Sequence, residues 1–182
     1  MSVHTADVVV IGAGIVGASS AWQLASRGLS VIVLEKDVAP AMGSTGKSAA
    51  GVRVQFTTEP NIRMSMYSLP VYREFEQRHG HQVGYQDIGY LLLVPHDKWD
   101  RHTEAVELQL ALGAPVEVLD TDEALRYVDF DAEDLAGATY GPWDGVIDPH
   151  LATHAWVTMG KEKGVAYRFT TPVTAIAPRG SG

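Results

Sequence analysis

The chain has 182 residues, with 14 Lys and Arg against 22 Asp and Glu, which gives a formal net charge of −8. Hydrophobic residues make up 46% and charged residues 20%, a composition typical of a globular protein rather than a disordered one. The acidic balance argues against binding to nucleic acid, and the absence of cysteine excludes disulfides, thiolate metal sites and cysteine nucleophiles. Since no apolar stretch approaches the roughly 20 residues that span a bilayer, and no signal peptide is evident, we expect a cytoplasmic protein.

The first 35 residues predict one β-α-β unit. Residues 7–11 are mostly β-branched, as in a buried strand, and Gly12 ends the run. Residues 15–27 have helical spacing, and Gly28 stands where a helix end favours a residue with positive φ. Residues 30–34 form a second buried strand, so the two strands are expected to be parallel neighbours.

The turn between the first strand and the helix has the pattern G-x-G-x-x-G, formed by Gly12, Gly14 and Gly17. Glu35 ends the next strand, 18 positions after Gly17, close to the spacing of about 20 for the carboxylate that binds a ribose. In this context the glycines allow the tight turn, the approach of a pyrophosphate and close helix–strand packing. The pattern therefore predicts a dinucleotide site, and Glu35 disfavours NADP because it would repel a 2′-phosphate.

The later elements follow in chain order and predict an α/β fold. We expect a helix at 59–79 that Pro70 kinks or splits, then a strand at 90–94 and a helix at 97–112. A strand at 116–119 and a helix capped by Asp120 or Thr121 should follow, and then a strand at 136–140. The last expected elements are a helix at 150–163 capped by Asp148 and strands at 165–169 and 173–177.

Two further patterns are weak. Residues 41–48 fit a relaxed phosphate-loop pattern, but residues 35–40 separate them from the strand, and no helical period follows. Nucleotide hydrolysis is therefore disfavoured. His150 and His154 have i, i+4 spacing but no HExxH motif or carboxylate partner, so we expect no metal site.

Residues 8–35, together with the small-residue segment at 43–53, resemble the N-terminal half of the D-amino-acid oxidase-like flavoproteins. Within that family the chain is most similar to the branch of sarcosine oxidase β-subunit, glycine oxidase and dye-linked proline dehydrogenase. Residues 89–91 and 144–149 also match the family's layout, so the resemblance spans nearly the whole chain. These motifs are specific to FAD binding but identify the substrate poorly.

The resemblance implies a set of FAD contacts. The pyrophosphate would lie at the glycine turn, including Ile15 and Val16; Glu35 would bind the adenosine ribose, with Lys36 beside the ribose or adenine. The main chain of Val173, in the last predicted strand, would contact adenine, although a core valine is an equally good interpretation. The residues implied to line the pyrophosphate, ribityl chain and flavin ring are Ser44, Thr45, Lys47, Ser48, Ala49, Ala50 and Gly51.

The resemblance also bears on catalysis. Arg53 is the best candidate for a charged group near the flavin, where its guanidinium would bind a substrate carboxylate; a surface arginine is the alternative. Some relatives attach flavin covalently through a histidine near the small-residue loop or through a cysteine. The loop here has no histidine and the chain no cysteine, so we expect non-covalent FAD.

The predicted architecture is a Rossmann-like FAD-binding domain from residues 1–84 and 142–182, with residues 85–141 forming part of a mixed-sheet substrate domain. The intact enzyme would oxidise the C–N bond of a small amino acid such as sarcosine, glycine, proline or a D-amino acid. A hydride would pass from the α-carbon to flavin N5, and the imine would hydrolyse.

Family members are longer, so a fragment, a truncated product and one part of a split enzyme all stay open. The expected partners are the amino-acid substrate and either a complementary polypeptide or a second copy of the chain. The alternatives are a non-catalytic fragment or subunit of a heteromeric flavoenzyme, and an NAD-dependent dehydrogenase, which predicts a third β-α-β crossover directly after Glu35.

Overall fold

A computed structural model describes residues 4–178. Its strands are β1 Val8–Ile11, β2 Val31–Leu34, β3 Gly51–Val52, β4 Tyr90–Pro95, β5 Glu117–Leu119, β6 Leu135–Gly141, β7 Gly145–Val146 and β8 Ala166–Arg168. Its helices are α1 Ile15–Ala25, α2 Glu59–Arg73, α3 Phe75–His79, α4 Trp99–Ala111, α5 Thr121–Ala124 and α6 Pro149–Glu162, with 3₁₀ turns at Thr45–Lys47 and His96–Lys98.

The chain divides into two compact units, Met1–Ala50 with Asp148–Gly182, and Gly51–Ile147. The sequence predicts the changes at 84/85 and 141/142 instead. The difference arises because β3 pairs with β7, and because α2 packs beside α4 around Ile62 and Val106. These contacts place residues 51–84 in the second unit. The assignment of FAD and substrate functions to domains stays a prediction.

The first unit contains a parallel sheet in the order β1-β2-β8. Helices α1 and α6 pack together through Trp22 and Trp156, whose ring centroids are 5.1 Å apart. The sheet and α1 share a core of small and β-branched residues: Ala13, Ala21, Val31, Val33 and Val165. The predicted β-α-β unit and its parallel pairing are confirmed. The crossover that an NAD-dependent dehydrogenase predicts after Glu35 is absent from residues 35–50, which contain only the 3₁₀ turn.

The predicted strand at 173–177 is wrong, because residues 171–178 have no regular structure. The chain changes direction at Thr170, which has φ of 53°. The amides of Thr170 and Thr171 then donate to the carbonyls of Asp37 and Glu35. Val173 is therefore not part of a strand.

The second unit contains an antiparallel sheet in the order β4-β6-β5 and the ribbon of β3 and β7. Residues 59–79 form two helices, α2 and α3, as predicted; Pro70 lies inside α2, and the break falls at Glu74, which has the non-helical φ of −103° and ψ of 9°. Asp120 forms a capping box with Glu123 at the start of α5.

Asp148 begins α6 as predicted, accepting from the amides of His150 and Leu151 at 2.8 and 2.9 Å. Within residues 4–178, no helix is long and apolar enough to cross a membrane. The cytoplasmic location stays a prediction.

Candidate functional site

The glycine turn brings the end of β1 against the start of α1. Gly12 has φ of 99°, and its amide donates to the carbonyl of Leu34 at 2.8 Å. A Cβ at Gly17 would overlap the Gly12 carbonyl oxygen and lie 3.3 Å from Val10 Cγ1, so only glycine allows this helix–strand contact. A Cβ at Gly12 would meet open space. The fingerprint therefore has the physical properties that a dinucleotide turn requires.

The N-terminus of α1 is only partly capped. Gly14 occupies the N-cap position and has no side chain to accept a hydrogen bond. The hydroxyl of Thr45 instead accepts from the amide of Ile15 at 3.2 Å. Thr45 therefore fastens the small-residue loop to the helix, a contact that no local sequence pattern indicates.

Glu35 is buried, with 8% of its surface exposed, and its carboxylate holds two backbone amides. Oε2 accepts from the amide of Ala13 at 2.6 Å, and Oε1 accepts from the amide of Asp37 at 2.9 Å. A carboxylate can accept about four hydrogen bonds, so both oxygens keep a lone pair for ribose hydroxyls. Glu35 thus shapes the glycine turn, a role that the spacing argument did not include.

A cavity of about 430 Å³ lies over this turn, within the range of about 300–1,000 Å³ for small-molecule sites. Its lining includes predicted FAD contacts from four separate parts of the sequence: Gly12, Gly14, Glu35, Lys36, Ser44, Thr45 and Val173. Ile11, Leu34, Asp37, Thr171 and Pro172 complete the wall with residues 41–43. The tertiary structure therefore brings together the predicted adenosine and pyrophosphate contacts.

Other predicted contacts lie outside this lining. They are Ile15, Val16, Gly17, Lys47, Ser48, Ala49 and Ala50. Their contact with FAD stays a prediction, as does the role of Gly51, which lines a different cavity.

The acidic charge is unevenly divided. The unit with the glycine turn has seven Lys and Arg and five Asp and Glu. Gly51–Ile147 has seven Lys and Arg but seventeen Asp and Glu. The first unit is therefore net positive, which favours an anionic pyrophosphate, although the whole chain is acidic.

His150 lies against the small-residue loop, because a Cβ at Gly46 would approach its Cε1 to 2.7 Å. The side chain is exposed, as the sequence predicts. Within residues 4–178, no three His, Asp or Glu side chains cluster in a way that could hold a metal ion.

A second cavity, of about 310 Å³, lies within the other unit and is lined by Arg53. Its guanidinium lies 5.0 Å from the centroid of Phe56 and 5.8 Å from that of Tyr90. Its Nε is buried and has no hydrogen-bond partner among the residues that the structure describes. Arg53 is therefore more than a solvated surface arginine: it is a partly desolvated cation at the wall of a cavity.

Four buried polar side chains of the second unit have no functional role predicted from the sequence: Gln55, Gln109, Thr139 and Asp144. Burial raises the pKa of Asp144 above its ordinary value; hydrogen bonds from Val54 and Gln55 and the charge of Arg53 act in the opposite direction. Burial also lowers the pKa of His102, whose Nε2 lies 3.0 Å from Thr139 Oγ1. These residues share no sequence spacing, so only tertiary contacts reveal them.

A β-α-β unit with this turn, a glutamate at the end of the second strand and a cavity over both defines an α/β dinucleotide-binding protein. The model of the family of FAD dependent oxidoreductases matches residues 7–182. The chain belongs to this family, and its cofactor is FAD. The predicted family, fold class and cofactor are thereby confirmed, and the interpretation as an NAD-dependent dehydrogenase is wrong.

Three relatives in sequence or structure are named as dehydrogenases or oxidases of dimethylglycine, glycine or proline. Mitochondrial dimethylglycine dehydrogenase of Rattus norvegicus is 32% identical over 97% of this chain and 21% of its own length. Glycine oxidase of Geobacillus kaustophilus is 30% identical over 92% of this chain and 47% of its own length. The crystal structure of L-proline dehydrogenase from P. horikoshii superposes with a TM-score of 0.88 at 31% identity, covering 97% of this chain and 47% of that one. The chain therefore spans less than half the length of these relatives.

Proposed function

We propose that this chain is the N-terminal, FAD-binding portion of an enzyme that oxidises the C–N bond of a small amino acid. The cavity formed by the glycine turn, Glu35 and the N-terminus of α1 carries the proposal. The names of the relatives support a small amino-acid substrate, and we expect sarcosine, glycine, proline or a D-amino acid.

The residues around the first cavity fit the FAD adenosine and pyrophosphate. Gly12 and Gly14 would hold the pyrophosphate beside the N-terminus of α1, because no residue within 4–178 fills the space next to Gly12. Glu35 would accept the ribose hydroxyls with its remaining lone pairs, while Lys36 and Val173 would flank the adenine side. When bound, FAD supplies the redox chemistry of amino-acid oxidation, and the protein supplies binding and orientation.

Arg53 would bind the substrate carboxylate. A guanidinium and a carboxylate form two parallel hydrogen bonds, and the desolvated setting of Arg53 strengthens them. The unpartnered Nε of Arg53 supports this role, since a buried donor without an acceptor is unfavourable. A bound carboxylate would fix the α-carbon and amine of the substrate in one orientation.

The absorption spectrum of the purified chain tests the cofactor proposal, because bound flavin absorbs visible light. Gly14→Val should abolish flavin retention, since a branched side chain at the start of α1 would occupy the phosphate site. Lys161→Gln removes a charge from α6 outside the cavity and serves as the control. Full flavin content in the Gly14→Val protein would refute the site, provided that both variants unfold cooperatively.

We further propose that the chain works with a partner, either a complementary polypeptide or a second copy of the chain. In the sheet order β1-β2-β8, β1 is an edge, and Val9 and Ile11 are 52% and 57% exposed. An exposed apolar face on an edge strand favours association with another segment.

Turnover measurements test this requirement. The monodisperse 182-residue monomer, with FAD and an artificial electron acceptor, should not oxidise sarcosine, proline, glycine or D-amino acids. A half-built site would neither orient the substrate nor exclude water. Robust turnover by the monomer would overturn the need for a partner, whereas failure to bind FAD would overturn the cofactor site. A chain that binds FAD without turnover, even with a complementary polypeptide, would be a non-catalytic subunit.

A further inference from the structure

Three polar side chains of the second unit are almost fully buried and hydrogen-bonded to one another. Gln55 is 5% exposed, while Thr139 and Asp144 have no exposed surface. The loop after β3, strand β6 and the turn before β7 contribute one residue each. Buried polar groups destabilise a fold unless they are paired, so their partners determine how each is oriented.

The amide of Gln55 has one acceptable orientation. Its Nε2 lies 3.0 Å from the carbonyl oxygen of Tyr90 and 3.1 Å from Oδ2 of Asp144. The Tyr90 carbonyl can only accept, so the amide nitrogen must face it, and Oε1 must face Thr139. Thr139 therefore donates to Gln55 Oε1, at 2.7 Å.

This orientation of Gln55 also determines which groups donate and which accept at the two ends of the network, His102 and Asp144. The single hydroxyl proton of Thr139 is used, so His102 Nε2, 3.0 Å from Thr139 Oγ1, has to be the donor. Asp144 receives donors at both oxygens, since Val54 donates its amide to Oδ1 at 2.7 Å. The ionised carboxylate suits these partners. Donation runs in one direction, from His102 through Thr139 and Gln55 to Asp144.

The network ends at the backbone around Arg53. Asp144 holds the amide of Val54, the next residue in the chain, and Gln55 holds the carbonyl of Tyr90, whose ring lies beneath the guanidinium. Gln109 donates to the carbonyl of Phe56 at 2.8 Å and so fixes the second ring. Both aromatic contacts of Arg53 are therefore set by buried hydrogen bonds.

Asp144 balances the charge of Arg53 without occupying its donors. No carboxylate of residues 4–178 forms an ion pair with Arg53, because Val54 and Gln55 take the oxygens of Asp144. The guanidinium keeps its hydrogen-bond donors for a ligand.

We propose that His102, Thr139, Gln55 and Asp144 form a positioning relay that orients Arg53 to bind a carboxylate. The proposal rests on the proposed carboxylate-binding role of Arg53. These four are positioning residues, since they act through backbone and ring contacts. His102, on α4, becomes a remote determinant of affinity for the substrate carboxylate.

Nitrogen NMR of the 182-residue chain tests the relay without any ligand. At pH 7.5, the His102 ring should carry its proton on Nε2, and Arg53 should show a slowly exchanging Nε–H resonance. Thr139→Val removes the hydroxyl at constant shape and should shift or broaden that Arg53 resonance. Thr153→Val is the matched control: Thr153 is equally buried, and its hydroxyl donates to Pro149 of α6. An Nδ1–H tautomer of His102, or an Arg53 resonance unmoved by Thr139→Val, would overturn the relay.

Acetate titration then measures the consequence for ligand binding. Thr139→Val and His102→Phe should each weaken acetate about tenfold, a fold-change typical of losing one hydrogen bond. His102→Phe keeps a ring beside Trp99 but has no donor. His102→Gln keeps a donor near the Nε2 position, so its affinity for acetate should be within about twofold of the wild-type affinity. Thr153→Val should bind acetate normally.

The two proposals fail in different ways. Absence of acetate binding by the wild-type chain, or unchanged binding after Arg53→Gln, refutes the carboxylate role of Arg53. Acetate binding that requires Arg53 but is unaffected by Thr139→Val and His102→Phe refutes the relay. If Thr139→Val does not fold, the comparison of His102→Phe with His102→Gln decides the matter alone.

Discussion

Replacing Glu35 with glutamine should destabilise the ligand-free protein as well as weaken FAD. Both carboxylate oxygens accept from backbone amides, those of Ala13 and Asp37. A glutamine amide has one oxygen and one NH₂ group, so either orientation places the NH₂ group against an amide donor. One of the two hydrogen bonds is therefore lost, and one buried N–H is left without an acceptor.

The expected loss follows from these contacts. A hydrogen bond to a charged group contributes about 1.5–3 kcal/mol, and an unsatisfied buried donor costs about 1–3 kcal/mol. Because these two terms overlap, we expect the free energy of unfolding to fall by about 2–3 kcal/mol, a large part of the roughly 5–15 kcal/mol of a typical domain. FAD binding should weaken by a further 1–2 kcal/mol, roughly, because a charge-assisted bond to ribose becomes neutral.

Urea denaturation of the ligand-free protein, followed by circular dichroism, measures the first effect, and FAD titration measures the second. Glu162→Gln, at the exposed end of α6 in the same unit, is the matched control and should change stability by less than about 0.5 kcal/mol. If Glu35→Gln is as stable as this control, the carboxylate does not hold the glycine turn. If stability falls and FAD affinity is unchanged, Glu35 does not reach the ribose.

Three other substitutions test separate parts of the fold. Gly17→Ala should prevent α1 from packing on β1, because its Cβ would overlap the Gly12 carbonyl oxygen. Gly14→Ala, whose Cβ would lie 3.0 Å from the Thr45 hydroxyl oxygen, should leave the ligand-free circular dichroism spectrum unchanged. Equal melting curves for the two variants would refute this packing argument. Tyr167→Phe should not reduce stability, because its hydroxyl is buried without a partner among residues 4–178. Burial raises the pKa of Tyr167 to about 12 in the folded protein, so this tyrosine ionises first in the unfolded state. The free energy of unfolding of the wild type should therefore fall between pH 10 and 12. Urea titrations in which Tyr167→Phe loses the same amount of stability over this pH range would contradict this. Asp120→Ala should cost about 1 kcal/mol through loss of the cap of α5, and an unchanged urea midpoint would show that this cap does not contribute.

The order of the longer strands and helices could be predicted because it depends on local chemistry. The β-branched run before Gly12, the spacing of the glycines and the acidic end of β2 predict the β-α-β unit and its dinucleotide turn. The resemblance carried by residues 8–53 added the family and the cofactor, which the family model confirms. The strand predicted at 173–177 is wrong, because the turn at Thr170 redirects the chain although the residues there have β propensity.

The sites depend on contacts that sequence spacing cannot supply. Glu35 holds Ala13 across 22 positions, and Asp144 reaches Val54 across 90. A local pattern is repeated along one helix or strand, so it predicts backbone conformation, turns and caps. A buried hydrogen bond joins groups from distant segments, and its geometry exists only after those segments have packed. The sequence by itself therefore determined the dinucleotide fold and its glycine turn, whereas only the tertiary structure decided what surrounds Arg53 and what holds Glu35.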